Sequence, residues 1–288
     1  MKPLNFKILQ VDGVDIFYRE AGDKNKPPIL LLHGFPSSSH MFRNLINELS
    51  DDYYLIAPDY PGFGQSSAPS PGIYSYTFDN LARTVQRFID ALGLNKFILY
   101  LHDYGGPIGF RIASQKPASI LALIIQNANA YNEGLGEALT PLVAYIQNEN
   151  SETEKGARGY LSEAAVKWLY TEGAEDYSKV SPDGYIMDQF YLNRPGNDEI
   201  QLSLFRNYGT NLPLYSEWQS YFRNNQPPTL VISGKNDKLF LAAGAEAFKN
   251  DIKDARINLL NGGHFVLEEK HQEAASTIKS FLFEKGIR

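Results

Sequence analysis

Three side chains able to carry or move charge stand just past three apolar runs: Asp103, Asp237 and His264. Residues 101–106 read Leu-His-Asp-Tyr-Gly-Gly and follow Phe97-Ile98-Leu99-Tyr100. This pattern reads as a strand driving into a sharp turn, with a carboxylate at the tip and small residues behind it. With a reference pKa of about 3.9, that carboxylate is ionised at neutral pH and needs no base to attack. Carboxylate attack suits displacement at a saturated carbon and leaves an alkyl ester. Asp237 closes Gly234-Lys235-Asn236-Asp237 after the run at 229–233, and His264 lies in Gly262-Gly263-His264-Phe265 after the run at 256–260. Taken singly, each has a plainer role: an Asp past a strand is commonly a turn or helix-cap residue, and the histidine could be a loop residue.

The elements that must position these groups are legible. Residues 5–19 read as a hairpin turning at Asp12-Gly13. The runs at 27–32, 53–57, 97–100 and 122–125 are short and continuously apolar, as expected of strands buried on both faces. Phe78, Leu81, Val85, Phe88, Ile89 and Leu92 share one helical face, with Gly93 placed as the C-terminal cap. A helix is expected over about 105–115. Strands alternating with helices predict a parallel α/β sheet covered on both faces. The alternation stops near Asn129 and resumes at Pro227. The expected layout is a core of residues 1–129 and 227–288 with a helical cap of residues 130–226 over the strand ends, where open α/β sheets keep their sites. The final helix should turn Ala274, Ile278, Phe281 and Leu282 inward.

The chain of 288 residues is 43% apolar, with a net charge of −6 and no cysteine. That is ample for one large core. No basic stripe suggests nucleic acid as a partner. Disulfides and thiolate metal sites are excluded. Met1 to Leu9 has no continuous apolar stretch like that of a secretory signal, and no run approaches the ~18 residues that span a bilayer. A cytoplasmic protein without cofactor or metal is therefore expected. Its partners would be a small apolar organic substrate and water. Oligomeric state has no signature here.

The order carboxylate, acid, histidine, each after a strand, resembles the α/β-hydrolase superfamily over essentially the whole chain. The His33-Gly34-Phe35-Pro36 turn and the Asp103 turn look like its aspartate-nucleophile branch, the epoxide hydrolases and haloalkane dehalogenases. The resemblance implies an α/β-hydrolase fold and an Asp103–His264–Asp237 triad. His264 would activate water against the ester, while Asp237 fixes the imidazole tautomer. It implies an oxyanion hole from the N–H groups of Phe35 and Tyr104, with His33, Gly34 and Pro36 supporting that turn. His102 is expected to fill space beside the turn, and His40 and His271 to lie on the surface.

Dehalogenases of this kind usually carry Trp directly after the nucleophile, and many carry Asn after the His-Gly pair; Tyr104 and Phe35 stand there instead. Fluoroacetate dehalogenases carry arginines where Tyr104 and Pro107 stand. An epoxide instead needs an acid of pKa near 10, which tyrosine supplies. Leu204-Phe205-Arg206-Asn207-Tyr208 resembles the second tyrosine motif of epoxide hydrolases, with Phe205 at the key position and Tyr208 one helical turn on. The candidate acids are Tyr208, Tyr170 and Tyr160; Trp168, Phe205 and Phe265 are candidate pocket residues. Epoxide hydrolysis to a diol is the leading expectation. A dehalogenase with its donors elsewhere, such as Trp168, and a non-catalytic relative that binds a small ligand are the alternatives.

Overall fold

The structure, a computed structural model, describes residues 3–288; the first two residues of the Met1–Leu9 stretch lie outside it. The chain opens with β1 (Asn5–Val11) and β2 (Val14–Ala21), joined at Asp12-Gly13. Both turn residues have positive φ, 50° and 81°, as a two-residue hairpin turn requires. There follow β3 (Pro28–Leu32), α1 (Arg43–Leu49), β4 (Tyr54–Pro58) and α2 (Phe78–Ala91). Then come β5 (Phe97–His102), α3 (Gly105–Gln115) and β6 (Ile120–Gln126). The eight strands form one sheet in the order β1-β2-β4-β3-β5-β6-β7-β8, where β7 is Thr229–Gly234 and β8 is Arg256–Leu260. Only the pairings of β2 with β1 and β4 are antiparallel. This is an α/β-hydrolase fold.

The central strands are apolar throughout because helices cover both faces: Ile29 to Leu32, Ile98 to Leu101 and Ala122 to Ile125 are fully buried. From β3 the chain crosses to β4 on one side, and its next strand, β5, lies on the other. The loops after β3 and β5 therefore flank the crevice where the strand order reverses, the usual place for a site in such sheets.

Between β6 and β7 the described chain contains helices and no strand. These are α4 (Thr140–Gln147), α5 (Ser151–Arg158), α6 (Glu163–Thr171), α7 (Pro182–Leu192), α8 (Asn197–Asn207) and α9 (Tyr215–Asn225). The segment seats on the core by backbone contact. Asn197 Nδ2 donates to the Gly62 carbonyl at 2.7 Å, and a Cβ on Gly263 would lie 1.9 Å from the Glu172 carbonyl oxygen. Gly62 and Gly64 both have positive φ. The glycines at 62–64 thus shape a loop, as their sequence context suggests. After β7 come α10 (Ala242–Ala247) and α11 (Leu267–Glu284), in which Ala274, Ile278, Phe281 and Leu282 are fully buried. Helices α1 and α10 have no clear counterpart in the sequence reading; both are only about two turns long. Among the described residues no helix is long and apolar enough to cross a membrane.

Candidate active site

Asp103 is the first residue past β5 and has φ +48°, the left-handed region that costs a residue with a Cβ free energy. The conformation is held from both sides. Its N–H donates to the Asn127 carbonyl at 3.2 Å, and its carbonyl accepts the Gly106 N–H at 2.9 Å as α3 begins. Close approach dictates the small neighbours: a Cβ on Gly105 would lie 2.2 Å from the Leu32 carbonyl oxygen, and one on Gly34 2.2 Å from Asp103 Cβ. The side chain is thereby aimed at the loop after β3, where the Phe35 N–H donates to Asp103 Oδ1 at 2.6 Å. The nearby Tyr104 N–H also favours the charged form of the carboxylate. Burial pushes the Asp103 pKa up to about 6; the nearby imidazole and the two N–H donors oppose that rise, and the Asp237 charge adds to it.

His264 and Asp237 meet across the ends of β8 and β7. His264 Nδ1 lies 2.8 Å from Asp237 Oδ2, both residues being buried. The other carboxylate oxygen accepts the Leu239 N–H at 2.8 Å. Asp237 is thus tied to its own loop and caps no helix. Burial lowers the His264 pKa, but the charges of Asp237 and Asp103 outweigh it, and the net shift is upward. An imidazole held by Nδ1 on a carboxylate leaves Nε2 to exchange a proton.

The turn after β3 is braced by His33. Its Nε2 accepts the Tyr60 N–H at 3.3 Å, so Nδ1 carries the proton and donates to the Gly34 carbonyl at 3.1 Å. Its ring also stacks on Tyr60, with centroids 4.1 Å apart. Burial pushes its pKa down to about 3, which keeps it neutral. His102 fills the space between its neighbours, 4.8 Å from the His264 ring and 5.2 Å from Phe265. Neither of its ring nitrogens has a partner among the described residues. His40 departs from the surface placement expected of it: it is half-buried near Arg43 and Arg19, and burial with those charges pushes its pKa down to about 4.

Aromatic rings from the helical segment pack against Phe35 and Tyr104, the two residues whose backbone flanks the Asp103 carboxylate. Phe205 packs its ring 5.0 Å from Phe35, and Tyr208 lies 6.1 Å from Tyr104 and 5.6 Å from Phe78. Both residues are buried. Burial raises the Tyr208 pKa well above its usual value, with smaller contributions from Tyr215 and the Asp103 charge. The neighbouring Tyr215 hydroxyl accepts from Asn129 Nδ2 at 3.3 Å. The Tyr104 hydroxyl is buried with no partner among the described residues. The other two candidate tyrosines are committed elsewhere. Tyr170 donates to Asp188 Oδ2 at 2.5 Å while stacking on Phe265 at 3.9 Å, and Tyr160 donates to the Ala138 carbonyl. Trp168, 36% exposed, lines a groove on the surface of the helical segment, apart from Asp103 and His264.

Comparison with known proteins places the chain. A family profile described as alpha/beta hydrolase fold matches residues 27–271. The chain is 40% identical to an uncharacterized hydrolase of Saccharomyces cerevisiae, over 96% of this chain and 97% of that one. It is 26% identical to mouse epoxide hydrolase 4, over 96% of this chain and 78% of the relative. It superposes on the crystal structure of a haloalkane dehalogenase from Bradyrhizobium elkani with a TM-score of 0.82 at 21% identity, covering 98% and 100% of the two chains. The chain belongs to the alpha/beta hydrolase fold family.

Within this hydrolase fold one residue of the site escaped the sequence reading. Asn127, just past β6 with φ +44°, joins three strand ends. Its carbonyl takes the Asp103 N–H, its Oδ1 accepts the Gly234 N–H at 3.1 Å, and its Nδ2 donates to Asp237 Oδ2 at 2.8 Å. The available signal was an amide side chain directly after a buried strand, at the height of the other groups. Asn127→Ala strands a buried N–H and removes a donor from a buried carboxylate. It is expected to lower stability by about 1–3 kcal/mol, read from urea unfolding; an unmoved midpoint would show that these bonds hold nothing together.

Proposed function

We propose that the chain is a hydrolase acting through Asp103 as nucleophile, His264 as base and Asp237 as its orienting acid, and that it opens epoxides to diols. The observation that supports this most directly is the setting of the Asp103 carboxylate. It sits on a strained turn with the Phe35 N–H 2.6 Å from Oδ1, and the His264–Asp237 pair acts on it from β7 and β8. One oxygen in a nest of backbone donors leaves the other free to attack.

In this reading Asp103 displaces the ring oxygen from a saturated carbon, and the C–O bond breaks as the ester forms. The departing alkoxide takes a proton from the Tyr208 hydroxyl, which burial and the Asp103 charge keep protonated. The unpartnered Tyr104 hydroxyl supplies a second donor. Esterification then removes the negative charge that helps raise the His264 pKa. The imidazole therefore becomes a readier neutral base as soon as a base is required. His264 takes a proton from water, the resulting hydroxide attacks the ester carbon, and the N–H groups of Phe35 and Tyr104 hold the oxyanion. Collapse releases the second oxygen as an alkoxide that takes the proton held by His264, giving the diol. The Asp103 carboxyl, protonated by the hydroxide addition, returns its proton through water to the Tyr208 phenolate, restoring both groups. Residues 130–226 form the lid that closes this chamber over a core of residues 1–129 and 227–288. Its occupants are a small organic substrate and water.

A halide would need donors in place of an acid. In this reading Tyr208 and Tyr104 supply hydroxyls matched to an alkoxide, which favours the epoxide.

His264→Gln is expected to trap the ester, seen as added mass on intact protein after exposure to an epoxide; turnover without any adduct would remove Asp103 as nucleophile. Tyr208→Phe should lower epoxide opening by well over tenfold, and near-normal rates would pass the acid role to another group. Because burial holds Asp103 up at about 6, kcat/KM should fall about tenfold per pH unit below that value as the carboxylate protonates. A profile flat down to pH 4 would contradict this.

A further inference from the structure

The His264–Asp237 pair at the ends of β8 and β7 is gripped from the lid side by a short stretch that the proposed cycle does not use. Tyr170 lies in the last turn of α6, and Glu172 and Gly173 follow that helix. These residues touch both chain neighbours of His264. On one side a Cβ on Gly263 would lie 1.9 Å from the Glu172 carbonyl oxygen, so backbone meets backbone there. On the other side the Tyr170 ring lies flat on Phe265, with centroids 3.9 Å apart and planes 8° apart. Phe265 in turn sets its ring against that of His264, at 5.3 Å and 77°. The same stretch reaches the turn of the acid. Asn236, directly before Asp237, donates from Nδ2 to the Gly173 carbonyl at 2.9 Å, and its N–H donates to the Gly262 carbonyl at 3.0 Å. Gly173 has φ +77°, and a Cβ there would lie 2.8 Å from Asn236 Cβ. Just beyond, the Asp176 N–H donates to Glu269 Oε1 at 2.6 Å, near the start of α11.

Tyr170 is itself held in place. It is buried, and its hydroxyl donates at 2.5 Å to Oδ2 of Asp188, which is also buried, on α7. One turn earlier on α7, a Cβ on Gly184 would lie 2.7 Å from the Tyr170 ring, so only glycine admits the ring there. A fixed ring stacked flat on Phe265 restrains the residue bonded directly to His264. The imidazole tolerates little displacement, because Nδ1 must stay on Asp237, now 2.8 Å away, while Nε2 meets the water that attacks the ester. We propose that Tyr170 is a positioning residue for the base, the end of α6 clamping the His264 turn so that the lid governs hydrolysis of the ester more than its formation. The governed step is the one in which His264 takes a proton from water and the hydroxide adds to the Asp103 ester carbon. Ester formation needs only the Asp103 carboxylate and a proton donor for the leaving oxygen. The assignment rests on the reading of His264 as base, and it gives Tyr170 a role that involves no proton transfer.

Two readouts on the full-length protein test this, one of them without substrate. Imidazole nitrogen shifts, read by NMR at a pH where His264 is neutral and assigned by their loss in His264→Gln, should report a single tautomer in wild type, with the proton on Nδ1. Tyr170→Leu removes the stack and should move the shifts toward the tautomer mixture of a free imidazole, whereas Tyr170→Phe keeps the stack and should retain the single tautomer. In rapid-quench runs with styrene oxide and propylene oxide, followed by intact-protein mass, Tyr170→Leu should slow ester hydrolysis about 10- to 100-fold while ester formation changes by less than about threefold. The ester then accumulates during turnover, and Tyr170→Phe should recover most of the hydrolysis rate. Phe265→Leu removes the same stack from the core side and should repeat the pattern, which keeps the test open if Tyr170→Leu does not fold. Unchanged imidazole shifts in these leucine variants, or equal slowing of the two chemical steps, overturns the positioning role. Altered shifts with no adduct and no turnover of either epoxide leave the clamp standing and count against the epoxide reading. An ester that forms and hydrolyses at the wild-type rates in the leucine variants removes the clamp and leaves the epoxide reading in place.

Discussion

The arrangement depends on one backbone angle. At φ +48° the chain turns out of β5 so sharply that the Asp103 side chain projects into the crevice between the ends of β3 and β5. A residue with a Cβ adopts that angle only when its surroundings outweigh the local cost. Here they are the Asn127 carbonyl, the start of α3 and a glycine at 34 whose missing Cβ leaves room for the carboxylate. The buried, fully apolar strands on either side supply the rigidity that keeps these few contacts in register.

Burial gives the same carboxylate its electrostatic character. Removed from water, Asp103 binds its proton more tightly than a surface aspartate, and the two N–H donors and the imidazole only partly offset this. The coupling is mutual, since the Asp103 charge supports the proton on His264. In the proposed cycle a single event, ester formation, neutralises one partner and readies the other. No conformational change is needed to pass from nucleophilic attack to base catalysis.

Two of the tyrosines of the helical segment have their hydroxyls bound to other acceptors. Tyr170 is bound to Asp188, whose own pKa burial pushes up to about 7, and Tyr160 is bound to a carbonyl. The ring of Tyr208 packs against that of Tyr104, whose buried hydroxyl has no partner among the described residues. In the proposed function, the choice among tyrosines follows from which of them are already bound to another acceptor.

Periodicity and turn chemistry made the core legible from residues alone. Continuous apolar runs mark strands covered on both faces, Asp12-Gly13 marks the hairpin, and small residues after Asp103 mark the close approach of α3. The positions of Asp103, Asp237 and His264 just past such runs were legible for the same reason: parallel strands bring their ends together whatever their separation in sequence. The sequence also marked where strands cease, near Asn129, because a buried strand cannot be built from polar and aromatic helix-like residues. Only the tertiary structure decided which tyrosine hydroxyls are bound to other acceptors, that Trp168 lines an outer groove, and that Asn127 ties three strands. Those outcomes depend on the angles at which helices of weak, mixed amphipathicity settle on one another. Such angles are set by side-chain packing between segments far apart in the chain, and local pattern carries no record of it.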